Sequence, residues 1–269
     1  MKRFKTVHYT IHSNKIKDAR GIRFAVLADL HGMEFGPDNR KLLETIHRYR
    51  PDGILIAGDM IVRNDSASLK TASSLLRSLA QQYPVYYALG NHEYKLYRTD
   101  PQDNCMAARY QEYEKELKKA GIHILHNESC SLQVGKTSLT VYGLEIPLIY
   151  YKKPFSPQLR REEVRELIGE PSSDSLNILL AHSPKYGETY FDWGADLILS
   201  GHYHGGIVRI GRHNGLLSPQ LHPFPKFCCG DFHRKDQHML VSAGAGEHTI
   251  PVRIHNPREL LMVDLKPNA

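Results

Sequence analysis

The chain has 269 residues, of which 41% are hydrophobic and 24% charged, and this balance excludes a disordered or fibrous protein. A net charge of +6 and a pI near 9.0 favour anionic ligands such as phosphate esters, nucleic acids or acidic lipid head groups. No apolar run is long enough for a transmembrane helix or a signal peptide, and four cysteines are too few for a disulfide scaffold, so we expect a cytoplasmic protein.

The first part of the chain alternates between apolar runs and amphipathic segments. Buried strands are predicted at three apolar runs: residues 24–28, 54–57 and 85–89. Amphipathic helices are predicted around three segments: residues 38–50, 69–79 and 106–121. Asp38 is the expected N-cap of the first helix, and Pro51 ends it. This β-α-β-α-β order predicts a parallel sheet with helices on its faces.

The second part of the chain begins with apolar runs that are too closely spaced for crossover helices. The runs at 123–126, 131–134 and 139–144 are therefore predicted to form an antiparallel element. A charged helix and five strands are predicted after them: about 157–168, then 177–181, 196–200, 207–210, 239–243 and 260–265. No long linker or internal repeat is present. We predict a single α/β domain over residues 1–269, with two packed sheets and helices outside them.

Five short polar motifs directly follow predicted buried strands. They are Asp29-x-His31, Gly58-Asp59, Gly90-Asn91-His92-Glu93, His182 and Gly201-His202-Tyr203-His204. Open α/β sheets bind ligands where the loops leave the carboxyl ends of their strands. We therefore expect the five motifs to meet at one edge of the molecule.

Seven side chains in these motifs are good metal ligands: Asp29, His31, Asp59, Asn91, His182, His202 and His204. Mixed carboxylate, imidazole and amide ligation favours transition metals such as Mn, Fe or Zn over Ca or Mg. Asp59 lies in a turn after Gly58 and is the natural carboxylate to bridge two ions. Two divalent ions, two carboxylates and a bridging hydroxide leave a positive charge that matches a phosphate anion. The sequence therefore predicts a binuclear site of two divalent ions that directs hydroxide to a phosphate ester in an in-line attack.

His92 lies outside this set of ligands. It directly follows Asn91, so its side chain is expected to face the substrate. We assign His92 as the catalytic acid that protonates the leaving oxygen or stabilises charge there. Glu93 either holds the His92 ring or only begins a helix, and the second reading is favoured.

The order DxH, GD, GNHE, H and GHxH resembles the calcineurin-like metallophosphoesterase superfamily over about residues 22–265. The stretch from Val241 to Glu259 is similar to a bacterial subgroup of small phosphoesterases. The resemblance implies a four-layer αββα sandwich with His92 as the acid. It also implies two sets of ligands: Asp29, His31, Asp59 and His204 for the first metal, and Asp59, Asn91, His182 and His202 for the second.

Two parts of the sequence depart from the patterns of that superfamily. The usual last motif is GHTHGGQ, whereas this chain has Tyr203 and Ile207 at two of its positions, which leaves substrate preference open. The GDxxDRG pattern of protein phosphatases is also absent, because Val62 stands in place of its second aspartate. Arg63 occupies the matching arginine position and is a candidate phosphate contact, with a solvated loop arginine as the alternative.

The leading functional prediction is a metal-dependent phosphohydrolase, a phosphodiesterase or phosphatase, with diesters or diphosphates favoured over simple monoesters. A nuclease is one alternative, but no stripe of aromatic and basic residues favours nucleic acid as a partner. A non-catalytic scaffold is the other, although relatives of that type have typically lost ligands and none is lost here. No obligatory protein partner is evident, and the positive charge is compatible with peripheral contact with an anionic membrane or a lipid substrate.

Overall fold

Two six-stranded mixed β-sheets pack face to face in the computed structural model of the chain. The structure describes residues 2–102, 104–152, 155–206, 208–211, 213–216, 224–247 and 252–268. Helices cover the outer face of each sheet, so the layers follow the order helix, sheet, sheet, helix. The predicted four-layer αββα sandwich is confirmed.

The first sheet contains the strands that lead into the first three motifs. Its strands are β1 (Lys5–His12), β2 (Ile22–Leu27), β3 (Gly53–Ala57), β4 (Val85–Ala88), β5 (His123–Leu125) and β14 (Glu259–Lys266). Their order across the sheet is β1-β14-β2-β3-β4-β5, with β2 to β5 parallel and β14 antiparallel to β2. The helices between them are α1 (Arg40–Tyr49), α2 (Ser66–Ala80), α3 (Asn91–Tyr97) and α4 (Cys105–Lys119). Helices α1, α2 and α4 bury their apolar faces on the outer side of this sheet.

The second sheet contains the strands that lead into the last two motifs. Its strands are β6 (Ser129–Val134), β7 (Thr137–Leu144), β8 (Leu176–Ala181), β9 (Leu197–Ser200), β12 (Gly230–Arg234) and β13 (Gln237–Val241). Their order is β12-β13-β9-β8-β7-β6, with antiparallel pairs only at the two edges. Helices α5 (Arg161–Ile168) and α6 (Gly187–Trp193) cover its outer face. A short ribbon of β10 (Arg209–Ile210) and β11 (Asn214–Gly215) lies outside both sheets.

The central strands are apolar on both of their faces because each sheet has a neighbour on each side. Every residue of β3 and of β8 is buried, as is typical of parallel strands with both faces covered. The inner faces of the two sheets share one apolar core, in which Leu55 belongs to the first sheet and Ile178 to the second. This packing holds the carboxyl ends of the two sets of parallel strands beside each other.

Two details of the predicted elements are wrong. Residues 123–126 were expected in an antiparallel element, but they supply β5, which pairs in parallel with β4 because α4 provides a crossover connection. Only β6 and β7 form an antiparallel hairpin there. Asp38 is not the N-cap of α1: both Asp38 and Asn39 adopt left-handed backbone conformations, and α1 begins without a side-chain cap.

Among the residues that the structure describes, none of the helices combines the length and the apolar character that a membrane span requires.

Candidate metal centre

The five polar motifs come together at the carboxyl ends of β2, β3 and β4 in the first sheet and of β8 and β9 in the second. Backbone hydrogen bonds hold neighbouring motifs side by side. The Asp29 amide donates to the Gly58 carbonyl at 2.9 Å, and the Gly201 amide donates to the His182 carbonyl at 3.1 Å. The loops thus continue the strand pairing and bring their side chains to one place.

The candidate ligands in these loops are held by unusual backbone conformations. Five of them have positive φ: Asp29 (52°), His31 (47°), Asp59 (52°), His202 (65°) and His204 (48°). A residue other than glycine adopts this left-handed region rarely and at a cost of about 1–3 kcal/mol. Strain of this kind persists where the surrounding structure imposes it, and it concentrates at functional sites.

Glycines beside the ligands are required because the chain segments approach one another closely. A Cβ on Gly90 would lie 2.1 Å from Asp59 Oδ1, and a Cβ on Gly201 would lie 2.4 Å from Asp29 Oδ2. Any side chain at either position would therefore displace a carboxylate of the centre. The glycines of the GNHE and GHxH motifs thus make room for the carboxylates.

The donor atoms of these side chains form three overlapping groups, in each of which all the atoms lie within 4.8 Å of one another. The groups are Asp29, His31 and His204; Asp59, His182 and His202; and His31, Asp59 and His92. The Nε2 atoms of His31 and His204 are 3.2 Å apart, and His182 Nε2 is 3.1 Å from Asp59 Oδ2. The first two groups belong to different metal positions in the division that the family resemblance implies.

The side-chain atoms that face the centre suit metal ions. His182 Nδ1 donates to the Ala57 carbonyl at 2.7 Å, and His31 Nδ1 donates to the Ile61 carbonyl at 3.3 Å, so in the neutral form of each ring Nε2 has a lone pair. Among the described residues, the buried Asn91 Oδ1 has no hydrogen-bond partner, and the contact of His182 Nε2 with Asp59 Oδ2, at 3.1 Å, lacks hydrogen-bond geometry. Buried acceptors without a partner are costly, and a bound cation would satisfy them. The donor set therefore fits divalent transition-metal ions.

Burial and mutual charge shift the pKa values of the centre strongly. Burial raises the pKa of the Asp29 carboxyl to about 7 and lowers the pKa of His31 to about 4. Burial would act in the same directions on Asp59 and His182, but their attraction for each other outweighs it. The pKa of Asp59 therefore falls well below its usual value, and the pKa of His182 rises to about 10. A cation would replace the proton of His182 in balancing these carboxylates.

Arg253 adds a buried positive charge beside His204 that the sequence motifs did not indicate. Its Nη1 donates to the Ala243 carbonyl at 2.8 Å, and its Nη2 lies 3.2 Å from His204 Nδ1. A guanidinium group can only donate, so His204 Nδ1 accepts in this contact. Binding of a metal through His204 Nε2 would therefore release a proton.

His92, the predicted acid, lies against the centre without joining the two groups of the implied ligands. Its ring is 5.0 Å from the ring of His31, measured between centroids. Its Nδ1 accepts a hydrogen bond of 3.1 Å from the backbone amide of Arg63. In the neutral ring the proton is therefore on Nε2, where it is available for donation. The side chain of Arg63 is exposed, and Arg63 contacts His92 through its backbone amide.

Glu93 has a role that the sequence did not reveal. It lies in the first turn of α3, as expected for a residue that begins a helix, but its carboxylate is fully buried, and its hydrogen bonds with the described residues go to groups other than the His92 ring. It accepts hydrogen bonds from the amides of Asp59 (3.0 Å), Met60 (2.7 Å), Ile61 (3.2 Å) and Gly90 (3.1 Å), and from the Tyr87 hydroxyl (2.8 Å). This carboxylate therefore links the turn at Asp59 to the turn at Gly90 through hydrogen bonds.

Aromatic side chains line the side of the centre that contains His182 and His202. The ring of Tyr151 lies 5.1 Å from that of His202, measured between centroids. Burial, with smaller effects of Tyr190 and Asp59, raises the pKa of Tyr151 well above its usual value. Tyr203, one of the two departures from the usual last motif, is buried. Ile207, the other departure, lies outside the described residues.

Comparisons with known proteins agree with this architecture. The chain is 28% identical to the candidate metallophosphoesterase F40B5.2 of Caenorhabditis elegans, over 96% of the chain and 53% of that protein. It is 26% identical to phosphodiesterase YaeI of Escherichia coli, over 72% of the chain and 64% of YaeI. The chain thus spans between about half and two thirds of the length of these two relatives.

Comparison with a solved structure supports the fold but not the function. The fold is similar to the crystal structure of a candidate 5′-nucleotidase from Staphylococcus aureus, with a TM-score of 0.52 and 13% sequence identity. The superposed region includes 93% of this chain and 55% of the nucleotidase. The sequence model of the calcineurin-like phosphoesterase family matches residues 22–206, which include all five motifs. The chain belongs to the calcineurin-like phosphoesterase family, as its motifs predicted.

Proposed function

We propose that this protein is a phosphohydrolase with two divalent metal ions that acts on phosphate esters, with diesters or diphosphates preferred over simple monoesters. One observation supports the proposal more strongly than the others. Six of the seven proposed ligands, from four distant segments, lie in groups whose donor atoms are within 4.8 Å of one another, and the seventh, Asn91, has a buried Oδ1 without a hydrogen-bond partner among the described residues. The name of phosphodiesterase YaeI supports the preference for diesters.

The residues of the centre would hold two ions with Asp59 between them. Asp29, His31, Asp59 and His204 are proposed for the first ion, and Asp59, Asn91, His182 and His202 for the second. When bound, two such ions would provide a nucleophile from water near neutral pH and would balance the charge of the phosphate. Manganese, iron and zinc suit these donors best.

His92 would supply the proton for the leaving oxygen. Its Nδ1 is occupied by the Arg63 amide, so its Nε2 carries the proton of the neutral ring. The ring is next to His31 and within 4.8 Å of the Asp59 carboxylate, measured between donor atoms. A proton donor at this position can stabilise the alkoxide or aryloxide that departs. The exposed Arg63 side chain is proposed as an additional contact to the phosphate.

The test is hydrolysis of bis-(p-nitrophenyl) phosphate by the purified protein with added Mn²⁺. We expect turnover with Mn²⁺, loss of turnover with a chelator, and a higher kcat/KM than for p-nitrophenyl phosphate. If no divalent metal supports hydrolysis of any aryl phosphate, the proposed activity is wrong. If only the monoester is hydrolysed, the diester preference is wrong.

Two alternatives use the same fold. A nuclease has the net charge of +6 in its favour and predicts cleavage of DNA or RNA that weakens steeply with salt. A non-catalytic scaffold predicts no hydrolysis and no need for two bound ions. We further propose that the whole chain forms one domain in the cytoplasm, with no obligatory protein partner and with access to anionic lipid surfaces.

A further inference from the structure

The 3₁₀ turn Leu148–Tyr151 follows β7 and places a phenol beside the candidate metal centre. The Tyr151 ring meets the His202 ring edge to face, at 5.1 Å between centroids and an angle of 76°, and it lies 6.5 Å from the His182 ring. Both histidines are proposed ligands of the second metal ion. Tyr151 therefore lies next to the place where a phosphate would bind.

The turn that carries this phenol is fixed by its neighbour Tyr150. The Tyr150 hydroxyl donates to the carboxylate of Glu163 in α5, and the Tyr150 carbonyl accepts a hydrogen bond of 2.8 Å from the Tyr186 hydroxyl. The rings of Tyr150 and Tyr186 also pack edge to face, with 5.5 Å between centroids. A backbone held in this way positions the next side chain before any ligand binds.

The hydroxyl of Tyr151 forms no hydrogen bond with any of the described residues, whereas the nearby Tyr190 hydroxyl donates to the Ser183 carbonyl at 3.0 Å. Tyrosines that are substantially buried usually find a partner for this group, and Tyr151 is half-buried against the histidines. A rigid donor without a partner at the rim of a polar centre suits recognition of a ligand oxygen.

We propose that the Tyr151 hydroxyl donates a hydrogen bond to a non-bridging oxygen of the phosphate ester, which makes Tyr151 a substrate-binding residue. The inference rests on the proposed function, since it requires a phosphate beside His202. A phenol is protonated at neutral pH and can donate, and a phosphate oxygen is a charged acceptor. Tyr151 and His92 would then contact the ester next to different metal positions.

The test compares the Tyr151→Phe variant with the wild type, both loaded with Mn²⁺. Phenylalanine keeps the ring on His202 and removes only the hydroxyl. We expect the KM for bis-(p-nitrophenyl) phosphate and the dissociation constant of inorganic phosphate, measured by calorimetry, each to rise about tenfold, because one hydrogen bond to a charged acceptor is lost. The manganese content should stay unchanged.

The matched control is Tyr83→Phe. Tyr83 lies before β4, at the edge of the sheet opposite the motifs, and its hydroxyl contacts His47 at 3.0 Å. This variant also loses one hydroxyl bond, but its KM and its phosphate affinity should match those of the wild type.

Two results would overturn the proposal. Phosphate binding and KM of Tyr151→Phe within about twofold of the wild type would show that the hydroxyl does not touch the phosphate. A loss of manganese from the variant would show that Tyr151 supports a metal ligand instead. If the wild type binds manganese and phosphate but hydrolyses no ester, the proposed function fails, and the calorimetric comparison still decides the role of Tyr151.

Discussion

Two clusters of histidine and carboxylate side chains differ in how many of their polar atoms have hydrogen-bond partners. In the cluster of His126, Glu114, Glu145 and Lys118, here called the His126 cluster, His126 Nδ1 lies 2.8 Å from Glu145 and Nε2 lies 2.9 Å from Glu114. Both ring nitrogens thus have a partner within the fold. In the candidate metal centre, atoms such as Asn91 Oδ1 have none among the described residues. Similar residue types therefore form a closed hydrogen-bond network in one place and an open set of candidate ligands in the other.

The pKa values also distinguish the His126 cluster from two residues of the metal centre, Asp29 and His31. Burial would lower the pKa of His126, but its hydrogen bonds to Glu114 and Glu145 outweigh burial and raise that pKa to about 9. In the metal centre, burial dominates for Asp29 and His31, and it disfavours the charged form of each. The His126 cluster stabilises its own charges, whereas burial outweighs the neighbouring charges at Asp29 and His31. Four substitutions test this contrast.

The largest effect is expected for Asp59→Asn. Loss of the carboxylate between the two proposed metal positions should lower kcat/KM for bis-(p-nitrophenyl) phosphate by about a thousandfold or more, because several kcal/mol of transition-state stabilisation would depend on both ions. The control is Asp52→Asn, at the opposite end of the same strand, where the carboxylate binds the Arg23 amide. Circular dichroism should show both variants folded. Activity of Asp59→Asn close to that of the wild type would contradict the role of Asp59.

His92→Asn should lower kcat about a hundredfold to a thousandfold without loss of bound metal, because it removes a proton donor and no ligand. The loss should be larger for alkyl esters than for p-nitrophenyl esters, since p-nitrophenolate needs less help to leave. Steady-state kinetics with both types of ester provide the measurement. An equal loss for both would mean that His92 does not protonate the leaving oxygen.

Glu93→Gln should weaken manganese binding about tenfold to a hundredfold, the range typical of residues that orient ligands. The glutamine has nearly the same shape, but its amide NH₂ would face backbone amides that now donate to a carboxylate. Calorimetric titration with Mn²⁺ measures the change. If the variant binds manganese as the wild type does, Glu93 serves the stability of the fold alone.

His126→Gln should have the smallest effect on activity of the four substitutions. It should lower the stability of the protein instead. Since the pKa of His126 is raised to about 9 in the folded protein, its contribution should be complete below about pH 6.5 and should be lost as the pH rises through about 9. We expect a loss of about 1–2 kcal/mol in the free energy of unfolding at pH 6, measured by urea denaturation. The difference from the wild type should be smaller at pH 9.5. A difference that grows with pH would contradict the assignment.

The sequence predicted the parts of the fold in which pattern and packing agree. The strands before Asp29, Asp59 and His182 are buried on both faces, so their apolar runs were plain and their ends marked the site. Strand β1 was missed, because it lies at a sheet edge and only Ile11 among its residues is buried. Strand β5 was placed in the wrong element, since a run of three residues does not reveal its partner.

The types of residue in the site could be predicted from the sequence, but the contacts that hold those residues in place could not. Glycines next to Asp and His residues indicated the candidate ligands. The roles of these residues in binding metal remain predictions. The contacts of Glu93 and Arg253 could not be foreseen, because they depend on backbone groups from distant segments. Long-range geometry decides these contacts, and local patterns do not contain it.

The most direct test of the central claim is a manganese titration of the purified protein, followed by metal analysis and electron paramagnetic resonance. Asp59 between two ions predicts two equivalents of Mn²⁺ per chain and a spectrum of two exchange-coupled ions, which Asp59→Asn should abolish. A single equivalent, or two equivalents with the spectrum of isolated ions, would contradict a binuclear centre bridged by Asp59.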